Sequence, residues 1–442
     1  MRAQRTDTDF DAIVVGGGPV GGATAALLAI RGGLDPARVA LLAPELEGDG
    51  HANAGIANAE GPPDLRVAAI SRASEMLLRN ARAFERLPPA RLCAYECMRI
   101  WHESAPFDGP GTMVFSAAEM AEPNLGYIVE NRALAAAALQ SFREAGGRVV
   151  AARLGALAVD ADVARLATDR GELSARLVVG ADGARSQVRS LLSLPVREHD
   201  YRQSAIVANI ATAKPHQHTA WQRFLATGPL AFLPLFDGSC SIVWSADKPL
   251  AEELMALPPA QFAQRLDAAS DRVLGPTELR GERLAVPLRR ANTATLVGPR
   301  VALAGDAAHV IHPLAGQGVN LGYMDAAALC GVVAAGVAEG EDPGAARLLR
   351  RYEQQRLAHD TLMSVAMSGF NAVFARGAGP AGWIAARLLG LAGANALLRR
   401  GFARRALGLS GEVPALARRG QAPGVIGPGT VRDPRATGEV TW

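Results

Sequence analysis

Between residues 304 and 322 the chain reads AGDAAHVIHPLAGQGVNLG, which crowds one Asp, two His, a Pro, a Gln, an Asn and four Gly into nineteen positions. An apolar run, RVALA, comes directly before it and has the character of a buried strand. Asp306 therefore stands at a strand end, where a carboxylate can accept hydrogen bonds from a ligand. His309 and His312 could carry a proton near neutral pH or simply satisfy buried carbonyls. Gly316 and Gly318 remove side chains that would keep a ligand away from the main chain. The segment then enters a helix that carries Asp325. So many helix-breaking and polar residues, placed where a core should continue, ask for a bound partner.

A second chemical signal opens the chain. Residues 11–32, DAIVVGGGPVGGATAALLAIRG, have the order strand, glycine turn, helix. Gly16, Gly18 and Gly21 fit G-x-G-x-x-G, and Pro19 suits a first helical turn. Gly16 permits the tight turn, Gly18 lets backbone approach a pyrophosphate, and Gly21 allows close helix–strand packing. The helix N-terminus adds free N–H groups and a partial positive charge. A dinucleotide site is expected here. Residues 38–47, RVALLAPELE, supply a second strand, but its end holds Ala43 where an acid normally binds ribose. Glu45 or Glu47 is left as the substitute.

Three further stretches surround these. DLRVAAIS (64–71) places Arg66 between a loop and an apolar run, free to bind phosphate or to be solvated. Residues 126–145, GYIVENRALAAAALQSFREA, give a strand and an Ala-rich helix with Asn131 as cap. Arg132 in its first turn gains nothing from the helix dipole, so an anionic ligand or a carboxylate should partner it. RLVVGADGARSQVR (176–189) repeats the strand–turn–helix order around Asp182-Gly183. From 200 to about 290 the pattern becomes strand-like runs separated by Gly, Pro and Asp-Gly turns, which implies an inserted antiparallel sheet. Within it, PLAFLPL (229–235) is apolar on both parities. Such a strand is buried on both faces or roofs a pocket.

At 442 residues with a net charge of +3, two or three structural units are expected and nothing overall points to nucleic acid. Lys214 and Lys248 are the only lysines, so nearly all positive charge is Arg. Cys93, Cys97, Cys240 and Cys330 show no zinc spacing, and no metal is expected. The N-terminus lacks the order of a signal peptide, and no run of about twenty apolar residues suggests a membrane span. Cytoplasmic placement is the expectation.

Taken together, GGGPVGG (16–22), DLRVAAIS, LGYIVENRAL (125–134), GADGARSQVR (180–189), YRQSAIVANI (201–210), GPLAFLPL (228–235) and the 304–322 stretch resemble the flavin-dependent aromatic hydroxylases. The resemblance is strongest to the ubiquinone-biosynthesis (UbiH-like) hydroxylases, in family order over roughly residues 10–360. It implies an α/β fold in which a Rossmann-like FAD-binding domain is interleaved with an antiparallel β-sheet substrate domain and followed by a C-terminal helical segment. The implied division is 1–75, 108–190 and 285–350 for FAD; 76–107 and 191–284 for substrate; 351–412 helical; and 413–442 a disordered tail. Gly16, Gly18, Gly21, Arg66, Arg132, Asp182, Asp306, Gly318, Val319 and Asn320 are implied FAD contacts, with Phe232, Pro234 and Pro313 lining the substrate pocket. Ala43 departs from the pattern, and the match loosens after Arg356.

The same resemblance implies that NADH or NADPH reduces FAD and that O2 then gives a flavin hydroperoxide, which hydroxylates a phenol-type ring. The implied substrate is a prenylated phenol of ubiquinone biosynthesis. A soluble phenol or polyketide, or a non-catalytic FAD-retaining subunit of a quinone-biosynthesis assembly, are the alternatives. A halogenase is disfavoured, since W-x-W-x-I-P and its active-site Lys are missing. No residue is marked as a catalytic base. Residues 383–409, apolar with Arg387, Arg399, Arg400, Arg404 and Arg405, form a helix that either packs on its own domain or rests on an anionic membrane. The second case would place the protein peripherally on the inner face of the cell membrane.

Overall fold

The computed structural model describes residues 8–44, 61–109, 111–310, 318–357, 401, 404 and 413–418. The first strand, β1 (Phe10–Val15), is buried along its whole length and turns through three glycines into α1 (Pro19–Arg31). β2 (Val39–Leu42) and β3 (Val67–Ser71) follow, then α2 (Arg72–Asn80), capped by Ser71, whose hydroxyl accepts from Ser74 N. Next come β4 (Cys93–Tyr95), β5 (Cys97–His102), β6 (Met113–Ser116), β7 (Gly126–Glu130) and α3 (Asn131–Glu144). β8 (Arg148–Val150), β9 (Leu154–Val159), β10 (Ala164–Thr168) and β11 (Gly171–Gly180) precede the short α4 (Gln187–Leu191).

The central run holds β12 (Val196–Thr212), β13 (Thr219–Leu225), β14 (Gly228–Pro234) and β15 (Cys240–Asp247), then α5 (Lys248–Ala256) and α6 (Pro259–Ser270). The chain returns through β16 (Thr277–Thr293), β17 (Val297–Gly298), β18 (Val301–Leu303) and β19 (His309–Val310) to the long α7 (Gly318–Ala338).

These strands make three sheets. One has the order β17-β18-β11-β1-β2-β8, with β18, β11, β1, β2 and β8 mutually parallel and the β9–β10 hairpin attached to β11. Parallel strands covered on both faces need apolar residues at every position, which is why β1 and β2 read as continuous hydrophobic runs. α1 covers this sheet beside α3 and α7. At Gly22 an added Cβ would come within 3.1 Å of the Ala138 Cβ, so glycine there lets α1 and α3 approach closely. The second sheet, β19-β16-β12-β15-β14-β13-β5-β6, is largely antiparallel, and β3-β7-β4 form the third. α7 is long and apolar enough to cross a membrane, yet most of it is buried against α1, so its apolarity belongs to the core.

The large sheet reaches beyond the boundaries expected for it. β6 pairs with β5 and puts residues 113–116 in the antiparallel sheet, inside a stretch assigned to the nucleotide unit. β16 runs unbroken across position 285, because its ladder with β12 continues to Thr293. Conversely, Leu77, Leu78, Phe84 and Leu87, assigned to the substrate unit, pack in the core built around β1 and α1. The C-terminal part also differs. Residues 346–357 are helical. Val413, Leu416 and Ala417 are buried in the main core, and Asn80 Nδ2 donates to Leu416 O at 2.8 Å. The tail expected to lack structure from 413 onward is thus anchored at its start. Residues 383–409, apart from 401 and 404, lie outside the described residues, as do 419–442.

Candidate functional site

Three turns that are far apart in sequence meet at the carboxyl ends of three neighbouring parallel strands. The glycine turn follows β1, Ala181–Gly183 follows β11, and Ala304–Asp306 follows β18. From β1 the sheet runs one way to β2 and the other way to β11, so the chain reverses its winding direction there, and ligands bind in the crevice such a reversal creates. A cleft of about 620 Å³ lies at this point, lined by residues of all three turns, by Arg66 and Asn131, and by Gly318 and Val319.

The glycines divide by role. Gly16 has φ +114°, and a Cβ on it would fall 2.4 Å from Ala181 O. On Gly21 a Cβ would sit 1.9 Å from Gly16 O. These two make the turn and the packing possible. Gly18 meets nothing within 4 Å, so its open side belongs to the cleft. It is also the N-cap of α1, with no side-chain cap and no acidic residue in the first turn. The positive end of that helix dipole is therefore left to an external anion. α7 begins at the same cleft, again with no acid in its first turn. Gly322 is what lets it come so near: a Cβ there would meet Val20 Cγ2 at 2.6 Å and Gly305 Cα at 2.9 Å.

The acceptors show the same division. Asp182 Oδ2 takes the N–H groups of Gln187 and Val188 at 2.7 and 3.1 Å and so caps α4. Among the described residues its Oδ1 is buried without a partner, as is Asn131 Oδ1. Both residues line the cleft. Asn131 is not a cap: Glu130 holds that position, and Asn131 is the first residue of α3. Two orphan acceptors in a ligand-sized cleft suit the hydroxyl groups of a nucleotide and its sugar chain. Asp306 is reached by water at the cleft yet walled by protein. Desolvation pushes its carboxyl above the usual range, and the charges of His309 and Arg66 partly oppose this.

Behind Asp306 lies a buried ionic network that sequence reasoning did not assemble. Asp325, on α7, is completely buried. Its Oδ2 accepts from Gly305 N at 2.8 Å and His309 Nε2 at 2.7 Å, and its Oδ1 accepts from Arg356 Nε at 2.6 Å. Burial alone would raise this carboxyl, but the charges of His309 and Arg356 and these hydrogen bonds outweigh it and hold the pKa below the usual carboxylate range. One side chain thereby ties the turn under Asp306 to α7 and to the helical stretch 346–357. His309 is committed to that carboxylate.

A second network fixes the loop that presents Arg66. Arg91 donates through Nε to Glu130 Oε2 at 2.7 Å, and to the Gly61 and Pro62 carbonyls at 2.9 and 3.2 Å. Asp64 N donates to Glu130 Oε1, and Asn209 Nδ2, reaching from the large sheet, donates to Pro63 O. Arg132 pairs with Asp64, Nε to Oδ2 at 2.7 Å, is mostly exposed, and is not among the residues bordering the cleft. Its partner is thus a carboxylate of this chain. Asn320 spends its side chain on Ser71 N, Ser74 Oγ and Ala69 O at 2.9, 2.7 and 2.8 Å.

Phe232 and Pro234 lie on the other side of the matter. Phe232 packs with Trp101, Trp221, Trp244 and Phe262 on the sheet face that α5 and α6 cover. Pro234, two residues on, shares that parity. Ala231 and Leu233 instead face the core shared with β3, β4 and β7. An all-apolar strand gives no parity signal, so the sequence could not tell one face from the other. Pro313, His312, Gly316, Glu45 and Glu47 lie outside the described residues. Gln187, Arg153 and Arg185 border the cleft without having been singled out, and nothing in their local spacing marks them.

Known proteins resemble this chain throughout. The family model described as "FAD binding domain" matches residues 127–365. The 3-demethoxyubiquinol 3-hydroxylase of Escherichia coli (strain K12) is 36% identical, over 91% of this chain and 100% of that protein. The ubiquinone hydroxylase UbiL of Rhodospirillum rubrum is 34% identical over 93% of each. Human mitochondrial ubiquinone biosynthesis monooxygenase COQ6 is 30% identical, over 89% of this chain and 91% of its own. Among solved structures, p-nitrophenol 4-monooxygenase PnpA from Pseudomonas putida DLL-E4 shares the fold, with TM-score 0.70 and 20% identity over 91% of this chain and 99% of that one.

Proposed function

Since the chain belongs to the family of FAD-dependent hydroxylases of ubiquinone biosynthesis, we propose that it hydroxylates the aromatic ring of a prenylated phenol intermediate on that route. It uses O2 and NADH or NADPH. One oxygen atom of O2 enters the ring and the other leaves as water, with the nicotinamide supplying two electrons. The observation that carries this reading is the convergence of three strand-end turns, the uncapped N-terminus of α1 and the start of α7 on one cleft.

The residues present fit FAD. The α1 N-terminus and Arg66 answer a pyrophosphate, the unpaired oxygens of Asn131 and Asp182 answer hydroxyl donors, and Asp306 accepts from the sugar chain. When bound, FAD supplies the redox and oxygen chemistry. The backbone N–H groups of Gly318, Val319 and Asn320 at the start of α7 favour negative charge developing beside them. Gly16 and Gly21 keep the turn in register, and the Asp325 network keeps Asp306 and α7 in fixed relation. No side chain is assigned as a base for the phenol.

We further propose that the protein works in the cytoplasm, peripherally on the inner face of the membrane and within a quinone-biosynthesis assembly. A prenylated substrate motivates this placement. Replacing Arg387, Arg399, Arg400, Arg404 and Arg405 by Gln, which keeps the buried 413–418 segment, and measuring liposome binding of FAD-loaded protein tests it, and unchanged binding would end it. The catalytic reading is tested by quinone-intermediate profiling in a deletion strain. A phenolic precursor lacking one ring hydroxyl should accumulate and vanish on complementation. Undiminished ubiquinone in the deletion strain would overturn it.

A further inference from the structure

Across the large sheet from the cofactor cleft, a separate groove of about 460 Å³ opens between the β13–β15 face and α5–α6. Its apolar wall includes Leu225, Leu250 and Trp244. Trp244 is 3% exposed, and its indole N–H has no acceptor among the described residues. Arg223, also at the groove, is half-buried. It donates to the Ala269 carbonyl at 2.9 Å and more loosely to the Glu103 carbonyl at 3.4 Å, while its Nε is buried without a partner among the described residues. The register pairs both Arg223 and Trp244 with Leu230, so the two stand on one face, two strands and about 10 Å apart.

The energetics of this pair are unusual. Desolvation lowers the pKa of Arg223, and the more distant charges of Asp271 and Glu103 only partly offset this. Among the described residues no carboxylate forms an ion pair with it. A desolvated guanidinium that has only carbonyl partners, beside a buried N–H with none, is two donors short of acceptors. Trp101 and Trp221 also carry unpaired indole N–H groups, but neither borders this groove. At the rim Arg265 adds positive charge, though Glu253 pairs with it at 2.7 Å. Glu103 is used by Ala226 N at 3.0 Å.

We propose that this groove is a second binding site, for an apolar monocarboxylate about the size of a substituted benzoate. The carboxylate takes the Arg223 Nε–H and the Trp244 indole N–H, and the apolar body lies against Leu225 and Leu250. The site is independent of the cofactor cleft, since the whole thickness of the sheet separates them and no bordering residue is shared.

The test is a ¹⁹F NMR titration of FAD-loaded, full-length protein with 4-fluorobenzoate, run on the wild type, Arg223→Gln and Trp244→Phe. Saturable binding in the millimolar range is expected for the wild type. Arg223→Gln should weaken it about tenfold or more, the loss of a charge-assisted bond, and Trp244→Phe by about threefold to tenfold. Absence of saturable binding to the wild type overturns the proposal. So does binding by Arg223→Gln within twofold of wild type, which would place the probe elsewhere. Should Arg223→Gln fail to fold, Trp244→Phe keeps the ring and decides the matter: unchanged affinity there overturns the site.

Discussion

Replacing Asp325 by Asn changes one oxygen to an NH2 group and almost nothing in volume. It nevertheless removes the carboxylate that accepts from Gly305, His309 and Arg356 at 2.6–2.8 Å. Arg356 is 1% exposed, so its guanidinium keeps its charge without this counter-charge. Breaking a buried pair from one side costs about 3–5 kcal/mol, against a typical total stability of about 5–15 kcal/mol. Asp325→Asn should therefore lower the folded-to-unfolded ratio by about two to four decades. Urea unfolding of the FAD-free protein, followed by far-UV circular dichroism, reads this as a lower midpoint with an unchanged slope. Asp325→Asn/Arg356→Met removes the second charge as well and should recover a good part of the loss, because the two sites share one network. Flavin fluorescence titration should show weaker FAD binding in the single variant, since the turn under Asp306 has lost its anchor. The depressed carboxyl also fixes the pH sense. Its contribution is present above the unfolded value of about 3.9 and is lost as pH falls through the lower folded value, so the titration of this carboxyl adds no slope near pH 7. An Asp325→Asn midpoint equal to wild type, or strictly additive losses in the double variant, would refute the reasoning.

In Gly18→Ala the added Cβ meets no atom of the described residues within 4 Å, so the unfolding midpoint should fall by far less than in Gly21→Ala while FAD retention drops; Gly21→Ala, with its Cβ 1.9 Å from Gly16 O, should damage both. If the two variants behaved alike, the division of roles within the glycine turn would be wrong. Asp306→Asn should stabilise the FAD-free protein at neutral pH, because desolvation disfavours the ionised carboxyl; wild-type stability should fall as pH rises from about 3.9 to the raised folded value, and the variant should lack that slope. Thermal melts from pH 4 to 8 check this. Arg132→Gln breaks a largely exposed pair with Asp64 and should cost less than about 1 kcal/mol and leave FAD affinity within twofold. A tenfold loss of affinity would instead make Arg132 a cofactor contact.

How much could be read from the chain follows from what each feature depends on. The strand–glycine–helix start was legible because its spacing is local: Gly16 must turn, Gly21 must let the helix close on the turn, and both demands sit within six residues. Asp182-Gly183 and Asp306 were legible in the same way, each at the end of an apolar run. Their meeting was not legible. It depends on the order β18-β11-β1, a matter of which strands pair across more than a hundred residues. Asp325, His309 and Arg356 likewise look unremarkable apart, and become one buried network only when α7, β19 and the 346–357 stretch pack together.

By itself, then, the sequence carried its family resemblance in a set of quoted motifs, while short-range periodicity and glycine spacing encoded the dinucleotide turn and the antiparallel insertion. Tertiary structure alone decided which face of PLAFLPL looks toward the cofactor unit. It also turned Arg132 toward Asp64 and drew β6 into the large sheet. An apolar strand carries no parity mark, and an Arg pairs with whichever anion the fold brings near. Partners chosen by long-range packing are absent from any local pattern.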